Sequence, residues 1–173
     1  MRHLWLLRHA KSSWDDPDLD DHDRPLAPRG ERAAAAMALH LGSADVRPQL
    51  VLCSSALRAR RTLGIVLSSL GDRGALGIAI DPELYTFDAE VLLERLRSIP
   101  DNVRSLLFVG HNPAMQELAL LVAAGGASHD RVAAKLPTGA LVTIAIPDDA
   151  WTKLGESDAE IEGLVVPRDL DRR

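Results

Sequence analysis

Aromatic side chains are scarce in this chain: three Trp, one Tyr and two Phe make up 3% of its 173 residues. Leu, Val, Ile and Ala must therefore fill the core, and hydrophobic residues at 46% of the chain supply enough of them. Cysteine occurs once, as Cys53, which excludes an internal disulfide and fits a reducing compartment. Its place inside an apolar run reads as a small buried core residue. Excess positive charge is missing too: the formal net charge is −5 and the pI about 5.6, which argues against nucleic acid as the main partner. Long apolar runs are also absent. The run at 4–7 is shorter than the ~7 to 15 residues of a secretory signal core, and nothing approaches the ~20 residues of a membrane span. The expectation is a cytoplasmic protein with no membrane partner.

What is present is an alternation. Short runs rich in Leu, Val and Ile at 4–7, 50–53, 78–80, 106–109 and 141–146 are bounded by turn residues, as buried strands are. Between them the spacing predicts helices over 29–41, 57–70, 89–98 and 114–124. Asn112-Pro113 reads as a capped helix start and Gly125-Gly126 as its end. The pattern predicts a three-layer α/β/α sandwich around a largely parallel central sheet. One domain spans 1–166, with 161–166 as a candidate edge strand and 167–173 as a tail that frays. The acidic stretch 15–23 and the stretch 127–137 read as loops.

Three of these strands end in groups suited to chemistry. The first delivers Arg8-His9, the second runs into Ser54, Ser55 and Arg58, and the fourth ends in Gly110-His111-Asn112-Pro113. Open α/β sheets bind ligands outside the carboxyl ends of their strands, so parallel neighbours would bring these groups to one edge. A lone histidine or arginine there has an ordinary structural use; two of each make an electropositive site that titrates near neutrality. Guanidinium forks match phosphoryl oxygens. Neighbouring arginines would keep one imidazole neutral, with a lone pair free to attack phosphorus.

At this point the residues resemble a known family. Leu6-Leu7-Arg8-His9-Ala10-Lys11-Ser12, Arg24-Pro25-Leu26 with Arg29-Gly30, Ser54-Ser55-Ala56-Leu57-Arg58-Ala59 with Thr62, and Val109-Gly110-His111-Asn112-Pro113 are similar in order to the histidine phosphatase superfamily, whose fold is termed phosphoglycerate mutase-like. The spacing most resembles its small phosphohistidine phosphatase branch, the SixA type. The resemblance implies a hydrolase without cofactor or metal, acting in signal transduction on a phosphorylated protein or a small phosphorylated substrate. It makes His9 the transiently phosphorylated nucleophile, with Arg8, Arg58 and His111 holding the phosphoryl group. Arg24 would lie at the pocket's edge, and Lys11, Ser12 and Trp14 follow the nucleophile as candidate substrate contacts. A tryptophan here is more often one that covers the core.

Two departures refine this expectation. The sugar-phosphate mutases follow the nucleophile with an acidic residue and an asparagine, where Lys11 and Trp14 stand here. Larger members carry a general acid after the third strand, at a position that reads closer to Thr86 here; Glu83 and Asp88 are candidate acids, and each also suits a turn or a helix cap. A missing acid disfavours alkoxide leaving groups and favours phosphohistidine, whose P–N bond is labile. The alternatives are a general phosphomonoesterase using Glu83 or Asp88, a phosphate-recognition module without turnover, and a metallohydrolase. The cluster Asp20, Asp21, His22, Asp23 matches no metal-binding loop and reads as a solvated acidic rim. Arg60 and Arg61 fall to the exposed helix face, and 137–140 forms a turn that could line the pocket.

Overall fold

The computed structural model describes residues 1–70, 76–147, 150–155 and 159–170. Seven strands form one sheet: β1 (Arg2–Arg8), β2 (Leu50–Ser54), β3 (Gly77–Asp81), β4 (Ser105–Gly110), β5 (Ala123–Gly125), β6 (Leu141–Ile146) and β7 (Ala159–Val165). Their order across the sheet is β3-β2-β4-β1-β6-β7-β5. All pairings are parallel except those of β6 with β1 and β7, so β6 alone runs against the rest. This is the phosphoglycerate mutase-like arrangement expected.

Strand β1 lies at the centre because it is apolar on both faces. Leu4 and Leu6 point into one core with Phe108, Leu92, Leu96, Leu118 and Trp151, beneath α3 (Ala89–Arg97) and α4 (Ala114–Val122). Trp5 and Leu7 point into the other, with Met37, Leu41, Leu63 and Val66 of α1 (Pro28–Ser43) and α2 (Leu57–Leu70). Cys53 is fully buried in that second core, and burial pushes its thiol up to about 12. Trp151, the largest fully buried side chain, satisfies its indole N–H on the Val103 carbonyl at 2.7 Å.

Several elements depart from expectation. Helix α4 ends at Val122, and the chain turns straight into β5; Gly126, at φ 113°, then passes so close to Ile161 that a Cβ would sit 2.5 Å from its carbonyl oxygen. β5 pairs outside β7, so β7 is not the edge strand. Asn112 does not cap α4; Pro113 takes the cap position, and the Asn112 amide instead donates to Gln116 Oε1 and the Leu136 carbonyl, each at 3.1 Å. The stretch 127–137 contains α5 (His129–Ala134), whose Val132 is fully buried. Residues Pro167–Leu170, expected to fray, form α6, with Leu170 packed against the second core. The rest of the expected tail, 171–173, lies outside the described residues. No helix among the described residues is long and apolar enough to cross a membrane.

Candidate active site

The parallel strands end together. Arg8 is in register with Gly110, and Ser54 with Asp81, so the four C-terminal ends converge on one edge. His9, the first residue past β1, donates its backbone N–H to Gly110 O at 3.0 Å. The segment after it is held from three sides. Gly139 N–H donates to Arg8 O and His9 O at 3.1 and 3.0 Å, and Ala10 N–H donates to Thr62 Oγ1 at 3.0 Å. Ala27 N–H donates to Lys11 O at 2.8 Å. Helix α1 then approaches so closely that a Cβ on Gly30 would lie 2.1 Å from Lys11 O, which only glycine permits.

These constraints fix the state of His9. Its Nδ1 lies 2.7 Å from Ala10 O, and a carbonyl can only accept, so Nδ1 carries the proton and Nε2 keeps a lone pair. Arg58 Nε donates to that Nε2 at 3.4 Å. Burial, together with the charges of Arg58, Arg8 and Arg24, outweighs the bond to Ala10 and pushes the imidazole down to about 4. The ring is neutral at physiological pH. His111 packs 5.0 Å away, centroid to centroid, and is pushed down to about 3 by burial and then by the neighbouring His9 and Arg58.

Unpaired polar groups collect around these rings. Ser54 Oγ lies 2.7 Å from His111 Nε2, while His111 Nδ1 has no partner among the described residues. The same holds for Arg8 Nε and Asn112 Oδ1, although Arg8 Nη1 donates to Leu136 O at 2.7 Å. Buried polar groups without partners are costly, and a ligand oxygen would satisfy the Arg8 and His111 nitrogens, whereas Asn112 Oδ1 can only accept. Arg8, His9, Arg58, His111 and Asn112 all line a cleft of about 240 Å³.

One functional group was missed in the sequence. Asp21, in the single helical turn Asp21–Asp23, lines this cleft. Its carboxylate accepts from Arg58 Nη2 at 2.9 Å, Arg24 Nη1 at 3.0 Å and the Tyr85 hydroxyl at 2.5 Å. Burial would raise this carboxyl, but the Tyr85 and Arg58 bonds and the arginine charges hold it at about 2. The site carboxylate is therefore ionised, and it orients both guanidinia. The one local signal was the spacing of Asp21 three residues before Arg24, an i,i+3 ion pair.

A strand-delivered histidine with a free Nε2, ringed by arginines, is matched by comparison with known proteins. Residues 4–103 match the Histidine phosphatase superfamily (branch 1). The chain belongs to that superfamily. An uncharacterised protein of Mycobacterium tuberculosis is 34% identical over 166 residues, covering 94% of this chain and 100% of the relative. Among solved structures, the SixA protein of Nakamurella multipartitia superposes with a TM-score of 0.82 at 27% identity, covering 96% of each chain. The SixA protein of Agrobacterium tumefaciens gives 0.77 at 26% identity, covering 96% of this chain and 99% of the other. Both are described provisionally as phosphohistidine phosphatases. This histidine phosphatase is of the SixA type, and its family and neighbours support a phosphatase hydrolase.

The remaining expected residues of this histidine phosphatase divide clearly. Lys11, Ser12, Arg24 and Trp14 all line the cleft, as do Phe87 and Thr138. Ser12 Oγ accepts from Arg24 Nη2 at 2.6 Å. Trp14 does not cover the core: it is 69% exposed, and its ring lies 3.1 Å from the Arg24 guanidinium carbon. Arg60 and Arg61 are exposed, as expected. Glu83 and Asp88, the candidate general acids, are not among the residues that line the cleft. Asp88 caps α3, accepting Glu90 N–H at 2.9 Å; Glu83 sits in the 3₁₀ turn Pro82–Leu84 and lines a separate cleft with Glu90 and Val91. The acidic rim is not wholly solvated either, since Asp21 is drawn inward.

Proposed function

We propose that this chain is a phosphohistidine phosphatase that works through phosphorylated His9. The observation that carries the reading is the pairing of a neutral His9, its Nε2 lone pair beside Arg58, with a cleft carboxylate, Asp21, held ionised at about 2. Such a site supplies a nucleophile and charge stabilisation but no protonated carboxyl to release an alkoxide. A phosphohistidine ring protonated on its other nitrogen needs none, because it departs as neutral imidazole.

In the first step His9 Nε2 forms a bond to phosphorus while the P–N bond of the substrate breaks, its electron pair returning to the leaving imidazole. His9 becomes a phosphoimidazolium, with the new charge delocalised onto the Nδ1–H that donates to Ala10 O. Arg8, Arg58 and the Nδ1 edge of His111 stabilise the equatorial oxygens. In the second step water attacks phosphorus, the P–Nε2 bond breaks, His9 returns to its neutral form, and the water proton leaves with inorganic phosphate. Lys11, Ser12, Arg24 and Trp14 hold the rest of the substrate, Arg24 being oriented by Asp21, Ser12 and the Trp14 face.

The test is a single-turnover reaction with a phosphohistidine protein labelled at phosphorus, in chelator, for wild type and His9→Ala. Release of phosphate with an acid-labile label trapped on the wild type alone supports the reading. Binding without release would point to a recognition module. Equal or faster turnover of alkyl phosphates would point to a general phosphomonoesterase.

A further inference from the structure

A second cleft adjoins the first. Lys11 and Thr138 belong to the linings of both, so the two share a wall built partly by the segment that follows His9. The second is the larger, about 460 Å³ against about 240 Å³. Its walls carry four cations from four separate parts of the chain: Lys11 after β1, Arg29 at the start of α1, Lys135 just past α5, and Arg168 on α6. No acidic residue is among its lining, and among the described residues none of the four makes an ion pair. Asp169, the acidic neighbour on α6, faces Arg131 at 3.9 Å instead. The floor is apolar, with Val166 and Pro167.

This concentration of unpaired positive charge stands on a chain whose net charge is −5. Asp21, the carboxylate that lines the phosphate cleft, is already paired with Arg24 and Arg58. The second cleft thus carries positive charge that no carboxylate opposes. A small phosphorylated molecule filling the 240 Å³ cleft would not reach Arg29, Lys135 or Arg168; a substrate extending past the cleft would be aligned by them. We propose that the basic cleft docks a carboxylate-rich segment of the phosphorylated protein, with apolar side chains on Val166 and Pro167 and acidic ones against Arg29, Lys135 and Arg168. The proposal rests on the protein-phosphohistidine reading only for the identity of the docked partner.

The test uses the full chain and a fluorescein-labelled peptide of alternating glutamate and leucine, with a lysine-leucine peptide as control. The perturbation is the triple variant Arg29→Gln, Lys135→Gln, Arg168→Gln, all at exposed positions. Fluorescence anisotropy should show salt-sensitive binding of the acidic peptide alone, weakened about tenfold or more in the variant. Phosphorylation of His9 by phosphoramidate should stay within about twofold of wild type, as a check that the phosphate cleft is intact. With phosphohistidine placed in acidic and neutral peptides, the wild type should prefer the acidic one through KM, and the variant should lose that preference. No binding of the acidic peptide, or unchanged binding in the variant, overturns the docking proposal even if phosphohistidine is hydrolysed. Binding that the variant loses, without hydrolysis of any phosphohistidine peptide, keeps the docking cleft and overturns the proposed substrate.

Discussion

The depressed basicity of His9 leads to a quantitative expectation. The ring is 7% exposed, and its displacement from 6.5 to about 4 is owed first to burial and then to the nearby arginines. The nucleophile must be neutral, so phosphorylation of His9 should hold its rate from pH 8 to about 5, then fall about tenfold per pH unit below about 4. An unshifted imidazole would already be reduced about 300-fold at pH 4. The same displacement affects stability. Between pH 6.5 and 4 the unfolded chain binds a proton at this position and the folded chain does not, so native stability is full above 6.5 and falls as pH drops through that window. The shift corresponds to about 3 kcal/mol for His9. His111, at about 3, extends the window downward, and the two contributions do not simply add because His9 is itself one cause of the lowering of His111. The assay is rapid-quench phosphorylation by phosphoramidate, corrected for the reagent's own ionisation, alongside urea unfolding at pH 7 and 4.5. His111→Gln should flatten the pH dependence of stability. A rate limb near 6.5, with equal stability slopes in wild type and variant, would refute the reasoning.

Further perturbations follow from the same geometry. Gly30→Ala places a methyl 2.1 Å from Lys11 O, against backbone that cannot yield cheaply, so a loss of about 1–3 kcal/mol is expected in thermal melts, with slower His9 phosphorylation. Thr62→Val leaves the Ala10 N–H buried and unpaired, costing about 1–3 kcal/mol by urea titration, and Thr62→Ser should restore most of it. Asp88→Ala should cost about 0.5–2 kcal/mol as a lost helix cap while leaving phosphoramidate turnover unchanged; a loss of activity well beyond the stability effect would reinstate it as an acid. Asp21→Asn removes a half-exposed counter-charge from Arg58 and Arg24, so calorimetry should show inorganic phosphate binding several-fold tighter, on the ~1 kcal/mol scale of a partly solvated pair. Weaker phosphate binding would mean that Asp21 serves to aim the guanidinia more than it competes for them.

Much of the fold was legible because central parallel strands, buried on both faces, are written as continuous apolar runs. β1, β2 and β4 lie within two residues of their expected bounds for that reason, and so does the antiparallel β6, which is buried on both faces too. β5 escaped notice because Ala123–Gly125 is short and lacks β-branched residues, and α5 because six residues show little period. The convergence of Arg8, Arg58 and His111 on His9 was also readable, since each lies at or just past the end of a strand and parallel strands end together.

What the sequence determined by itself, then, is the order of elements and the delivery of His9 with its cationic neighbours to one sheet edge, because periodicity and strand-end position are local properties of the chain. Only the tertiary structure decided which carboxylate belongs to the site. Asp21 differs from Asp20 and Asp23 through Arg58, 37 residues along, and Tyr85, 64 residues along. The tertiary structure also placed Glu83 on a separate cleft and Asp88 at the cap of α3. The charge state of a buried ring and the partner of a carboxylate depend on what lies across a few ångströms of space, and chain-local patterns do not carry that information.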